Sequence, residues 1–353
     1  MSIIITGIQQ MGIGVKDVHE AWKWYRHHFG FDIAIFEEAA AAELMLPYTG
    51  GKPQTRHAVL TYNIKGGGGM EIWQYTSKDP QPPAFDVKLG DLGIFITKIK
   101  MPDAKKAFDF LKTKGANLIT EIVTDPEGKE HFYVKDPYNN IFELVIFDDW
   151  YNKEDYPTGG IGGAVIGVTD IDKSIKFYSE ILGYDLVVYD KEGKFDDFSG
   201  ISGGDEEFRR VLLRHSEPRK GHFSAVFKST EIELVQVKGR EQRKIYENRF
   251  WGELGFIHLC YDVTGMNELG EKCEKLGHPF TVDSANSFDM GEAAGRFSYI
   301  EDPDGTLIEF VETHKMPVMK KLGIYINLRR RNPEKPLPRF ITNALKFMRV
   351  KDK

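Results

Sequence analysis

"GIQQMGIGVKDVHEAWKWYRHHFGF", residues 7–31, aligns without a gap to "GIGGAVIGVTDIDKSIKFYSEILGY", residues 160–184, at an offset of 153. Each copy reads as a strand, an Asp suited to cap a helix (Asp17, Asp170), an amphipathic helix and a Gly stop (Gly30, Gly183). The apolar stripes coincide. Val18, Trp22, Tyr25 and Phe29 in one copy stand where Ile171, Ile175, Tyr178 and Leu182 stand in the other, at spacings of 4, 3 and 4.

A second pair of segments repeats as well. "FYVKDPYNNIFELVIF", from Phe132, matches "SYIEDPDGTLIEFVET", from Ser298. Each follows a helix ending in Gly ("AKKAFDFLKTKG", "MNELGEKCEKLG") and, before that, a strand ("LGIFITKI", "GFIHLCYDV"). The chain therefore reads as four units, each a strand, a helix and about three further strands. Later strands are expected at 34–37, 57–62 and 70–75 in unit one, and at 185–189, 210–214 and 231–237 in unit three. The fold class is α+β: four βαβββ units paired into two curved-sheet clefts, because a helix covers one sheet face and leaves the other open. Pairing in chain order puts units one and two in residues 1–151 and units three and four in 152–314. Residues 315–353 form a basic extension with a Pro-rich connector and a short helix.

Strand alternation places a few carboxylates among apolar neighbours, where an unpaired charge is costly. Glu71 shares a face with Trp73 and Tyr75, Glu143 with Ile141 and Val145, Glu309 with Leu307 and Val311. Glu233 lies in the more polar "EIELVQV". In unit four His258 shares a face with Phe256 and Cys260. One imidazole and two carboxylates on rigid strands suit a divalent metal with open positions. A single Glu of this kind is more often a solvated strand-end residue, and inheritance from one ancestral unit also explains its recurrence.

These residues and repeats resemble the vicinal oxygen chelate superfamily, which includes glyoxalase I, extradiol dioxygenases and bleomycin-resistance proteins. The resemblance spans residues 7–314. It implies a metal held by first-strand and last-strand residues of paired units. The first-strand position is Gln10 in unit one, in "QQMGIGVKD", and His258 in unit four. In unit three it is Gly163 and in unit two it falls near Gly93, neither of which can ligate. With units paired in chain order, one cleft offers Gln10, Glu71 and Glu143, and the other offers Glu233, His258 and Glu309. Imidazole favours the second for Fe2+, Zn2+, Ni2+ or Mn2+. "YIEDPDGTLIE" also resembles the extradiol signature, which would make Tyr299 a phenol facing substrate and Glu309 the last ligand; the superfamily's metal chemistry would make Glu233 or Glu309 the base. Ser298, the lack of a nearby upstream His and Gly163 all depart from that pattern.

The expected activity is metal-dependent, a lyase or isomerase of the glyoxalase kind or a dioxygenase, on a small oxygen-chelating molecule. The alternative is a metal-free binder of the bleomycin-resistance type. Net charge is −6 over 353 residues, which argues against nucleic acid as a partner. The extension carries +10, leaving −16 elsewhere. It reads as a tail packed on that acidic body in preference to a partner-binding arm. Two cysteines fit a reducing cytoplasm. No apolar run reaches membrane-spanning length, and a monomer or homodimer is expected.

Overall fold

The computed structural model describes residues 2–285, 288–290, 293–319 and 324–351. All four units form. Unit one runs through strand Ile4–Gly14, helix Val18–Phe29 and strands Ile33–Ala41, Thr55–Tyr62 and Gly69–Tyr75. Unit three repeats this with Ile161–Gly167, helix Ile171–Glu180, Leu186–Gly193, Glu207–Arg214 and Glu231–Lys238. Units two and four begin with Gly93–Met101 and Gly255–Thr264, continue into helices Ala104–Thr113 and Met266–Lys275, and end on Ile141–Ile146 and Leu307–Met319.

The helix boundaries follow the local chemistry. Asp17 accepts from the backbone N–H groups of His19 and Glu20, and Asp170 from that of Lys173. Gly30 takes φ 70°, a left-handed turn that a residue with a Cβ enters at a cost. The apolar stripes then face inward. Val18, Trp22, Tyr25, Phe29, Ile171, Tyr178 and Leu182 are buried in one core drawn from all four units, and Ile175 is partly buried against it.

The units do not pair in chain order. In one sheet the first strands of units one and four lie antiparallel, Met11 opposite Leu259 and Gly12 opposite His258. In the other, unit two joins unit three at Ile99 and Ile161. The expected pairing of one with two and three with four is thereby corrected. The repeat defines each unit, but any first strand offers the same backbone edge to any other. Contacts made far along the chain decide which two meet. One is a close approach: a Cβ on Gly12 would lie 2.3 Å from the His258 ring.

The last strand of unit four runs on past residue 314, and Ile324–Asn327 adds to its edge. Beyond it, the basic extension lies on the body. Arg349 pairs with Asp32 at 3.0 Å and Glu154 at 3.2 Å, and Lys346 with Glu154 at 2.8 Å. Among the described residues no helix is long and apolar enough to cross a membrane.

Candidate metal centre

The cleft between units one and four collects four of the residues singled out above. Gln10 and Glu71 come from the first and last strands of unit one, His258 and Glu309 from the same positions of unit four. The register sets this. Gly12 pairs with both Glu71 and His258, and Cys260 pairs with Glu309. Gln10 Nε2 donates to Glu71 Oε2 at 3.4 Å. His258 Nε2 lies 3.4 Å from Glu71 Oε2 and 3.0 Å from Glu309 Oε2. Ligand atoms of Glu71, His258 and Glu309 all fall within 4.8 Å of one another.

The site is buried and incompletely satisfied. His258 is fully buried, Gln10 is 5% exposed and Glu309 7%. Gln10 Oε1, both His258 ring nitrogens and Glu309 Oε2 have no aligned hydrogen-bond partner, which is costly for buried polar atoms. Burial alone would depress the His258 imidazole. The carboxylates of Glu309 and Glu71 outweigh it and raise the ring to about 9. Two carboxylates, an amide oxygen and an imidazole thus converge where positive charge is favoured. Tyr299 stands opposite Glu309 on the neighbouring strand, edge-on to His258 with ring centroids 5.5 Å apart. Burial, then the charge of Glu309, holds its phenol well above the usual range, so it is protonated.

Glu143 and Glu233 are elsewhere, in the cleft of units two and three. The two ligand sets expected from chain-order pairing, Gln10 with Glu71 and Glu143, and Glu233 with His258 and Glu309, are both corrected. Gly163 belongs to the inner cleft and leaves no gap beside His258. The inner cleft already has its cations. Lys98 Nζ lies 2.7 Å from Glu233, 2.9 Å from Glu231 and 3.4 Å from Glu143. Arg210 pairs with Glu233 and, at 2.5 Å, with Asp197. His131 meets Glu143 at 2.7 Å and Asp197 at 3.3 Å, and Arg214 meets Glu231 at 2.8 Å. Burial lowers His131, but hydrogen bonds to Asp197 and Glu143 raise it further, to about 9. Four acids therefore face four bases, and the carboxylates are neutralised by side chains. Lys98 and Lys100 alternate with apolar residues in "LGIFITKIK". Lysines at interior strand positions were the available signal for this cluster.

Other histidines have ordinary partners. His215 stacks on Tyr184 at 4.0 Å and bonds the Gly183 carbonyl, and His222 is buried. His19 and His57 share the Glu37 carboxylate at 2.7 and 3.0 Å on the surface, where solvent removes the demand for an ion. The linker before unit four closes over the centre. Trp251 lies nearly parallel to His258, with ring centroids 6.1 Å apart, and edge-on to Trp73 at 4.6 Å, and its carbonyl accepts from Tyr75.

Comparison with known proteins agrees with this architecture. Glyoxalase I from Zea mays superposes with a TM-score of 0.56 at 16% identity, covering 88% of this chain and 92% of that one. A putative dioxygenase from Bacillus subtilis subsp. subtilis str. 168 gives 0.57 at 13% identity, covering 99% and 98%. No curated protein sequence matches significantly. The family model described as Glyoxalase/Bleomycin resistance protein/Dioxygenase superfamily matches residues 7–144 and 160–310. Matched over both halves of its repeat, the chain belongs to the glyoxalase/bleomycin resistance protein/dioxygenase superfamily.

Proposed function

We propose that the chain is a divalent-metal-dependent enzyme of the glyoxalase kind, an isomerase or lyase acting on a small molecule with two neighbouring oxygens. The observation that carries this reading is the orphaned, buried Gln10 Oε1 of the residue that bonds Glu71 in the cluster with His258 and Glu309. An amide oxygen, an imidazole and two carboxylates form a mixed N/O donor set suited to Zn2+, Ni2+, Mn2+ or Fe2+. When bound, such an ion supplies Lewis acidity to the oxygens of a substrate. The set has one His and four donors. That differs from the open two-His-one-carboxylate arrangement of non-haem oxygenases, which favours isomerase or lyase chemistry over ring cleavage.

The chain's own residues supply the proton handling. Glu309, 7% exposed and on a strand, is positioned as the base for a carbon-bound proton next to a carbonyl. Glu71, across from it, is the alternative acceptor on the other side of the cleft. Tyr299 can donate its hydroxyl hydrogen to a substrate oxygen. Trp73, Tyr75, Trp251 and Ile257 pack with Tyr299 into a buried apolar cluster next to these residues, which keeps their surroundings apolar.

The test has two arms. Metal content of the purified chain is measured for wild type and His258→Ala, and exchange of the α-proton of 2-hydroxyacetophenone with deuterium is followed by NMR. The expected result is a bound divalent ion, lost in His258→Ala, and exchange lost in Glu309→Gln. A metal-free chain, or unchanged metal uptake in His258→Ala, overturns the reading and favours the metal-free binder.

A further inference from the structure

On the outside of unit one, three groups with metal-binding chemistry meet away from the buried centre. His19 stands in the first turn of helix Val18–Phe29, Glu37 on strand Ile33–Ala41 and His57 on the neighbouring strand Thr55–Tyr62. The register explains the meeting. Glu37 lies opposite Val59 and Ala39 opposite His57, so Glu37 and His57 are diagonal neighbours on one sheet face. Val59, on that face, is buried in the core with Val18 and Trp22 of the helix. The helix therefore covers the face, and its first turn brings His19 to the rim. Alternation turns Leu60, the partner of Glu71, to the opposite face. The sheet thus separates these three groups from the buried centre.

Both imidazoles aim at one atom. Nε2 of His19 lies 2.7 Å and Nε2 of His57 3.0 Å from the same Glu37 Oε1. The two rings stand edge to face with centroids 5.1 Å apart. One ligand atom from each group falls within 4.8 Å of the other two. The hydrogen bond from His19, above all, holds the Glu37 carboxyl below its usual range, so it is ionised at neutral pH. The side chains of His19, Glu37 and His57 are 59%, 42% and 25% exposed. An ion therefore reaches them from solvent with no opening of the fold. Water satisfies these groups when no ion is present, but the fold holds them already gathered, which lowers the ordering cost of binding.

The donor set selects the ion. Two imidazoles and a carboxylate match a transition ion, whereas Mg2+ and Ca2+ take oxygen ligands. Zinc ligands stand about 2.1 Å from the ion, so tetrahedral donors are roughly 3.4 Å apart, close to the present spacing. Small rotations of exposed side chains supply the difference. Three protein ligands leave the fourth position to water. We propose that His19, Glu37 and His57 form a second, surface-exposed zinc site, which ties the first turn of the helix to two strands. Binding is reversible and weaker than at the buried four-donor centre, because water competes for every ligand. The inference does not rest on the function proposed above.

The experiment adds zinc chloride, and magnesium chloride as its hard-ion counterpart, to chelator-treated protein carrying His258→Ala, which removes the imidazole of the buried centre. Calorimetry should show one zinc ion bound with micromolar affinity and no magnesium. Adding His19→Ala or His57→Ala should weaken zinc about tenfold or more, since even the loss of a group supporting a ligand costs that much. Glu37→Gln should weaken it several-fold. Zinc should raise the melting temperature of the parent and not of the His57→Ala variant. Melts without zinc identify any variant that has simply unfolded. In the wild-type background, His57→Ala should lower the zinc stoichiometry by one ion, which keeps the test independent of His258. No zinc uptake at submillimolar concentration, equal uptake of magnesium, or unchanged affinity in folded His19→Ala and His57→Ala overturns the inference. Zinc lost with His57→Ala but not with His258→Ala upholds the surface site and overturns the buried one. The opposite pattern does the reverse.

Discussion

Replacing Lys98 by Met keeps the side chain's length and removes its charge. The ammonium is buried and touches three carboxylates, Glu233 at 2.7 Å, Glu231 at 2.9 Å and Glu143 at 3.4 Å. Each acid has a second partner: Arg210 for Glu233, Arg214 for Glu231 and His131 for Glu143. The variant therefore leaves one excess negative charge in the inner cleft. Removing one partner of a buried ion pair costs about 3–5 kcal/mol, and the remaining cations place Lys98→Met toward the lower end of that range. Urea unfolding at neutral pH, followed by near-ultraviolet circular dichroism, measures the loss. Adding Glu231→Gln leaves three acids (Glu233, Glu143, Asp197) with three bases (Arg210, His131, Arg214), and Arg214 retains a partner in Glu127 at 2.6 Å. The double variant should recover roughly half of the loss, on the order of the 0.5–3 kcal/mol coupling of contacting groups. A loss below about 1 kcal/mol, the size of an exposed pair, would refute the view that Lys98 occupies the inner cleft as its resident cation.

Three further outcomes follow from other residues. His131 has a folded-state value raised to about 9 from 6.5, so its contribution is fully present below pH 6.5 and disappears as pH rises through 9. Unfolding free energy should fall across that window by up to about 3 kcal/mol, and His131→Gln should flatten the profile in the same urea titrations. Gly12→Ala places a methyl 2.3 Å from the His258 ring. It should destabilise the chain by about 1–3 kcal/mol and weaken ion uptake, read by melts and metal analysis. Tyr299→Phe should leave ion content unchanged and slow deuterium exchange about 100-fold, the scale of a lost proton-handling group; an unchanged rate would make Tyr299 a packing residue.

Much of the fold was legible because it rests on local rules. The Asp17 and Asp170 caps, the Gly30 stop and the helix stripes are short-range, and the repeat copies them. Each site carboxylate was legible through alternation with apolar neighbours. Which residues share a cleft was not, because unit pairing is set by contacts between strands about 250 residues apart, such as Gly12 with His258. That one error separated Gln10 and Glu71 from His258 and Glu309 and made each cleft look one ligand short. The inner cleft's neutralisation was partly legible, since Lys98 sits at an interior strand position. Arg210 and His131 gave no comparable signal: Arg210 opens the expected strand 210–214 although the real strand starts at Glu207, and His131 is the second residue of Glu130–Lys135, positions where solvent is the usual surrounding. The Trp251 cover was illegible too, because a linker's path over a cleft leaves no periodic trace.

The most direct test is an anomalous difference map from crystals of the purified, metal-loaded chain. The account predicts a peak within coordination distance of Gln10, Glu71, His258 and Glu309, and none among Glu143, Glu231 and Glu233, where Lys98 stands. An empty outer cleft, or a peak in the inner one, would contradict it.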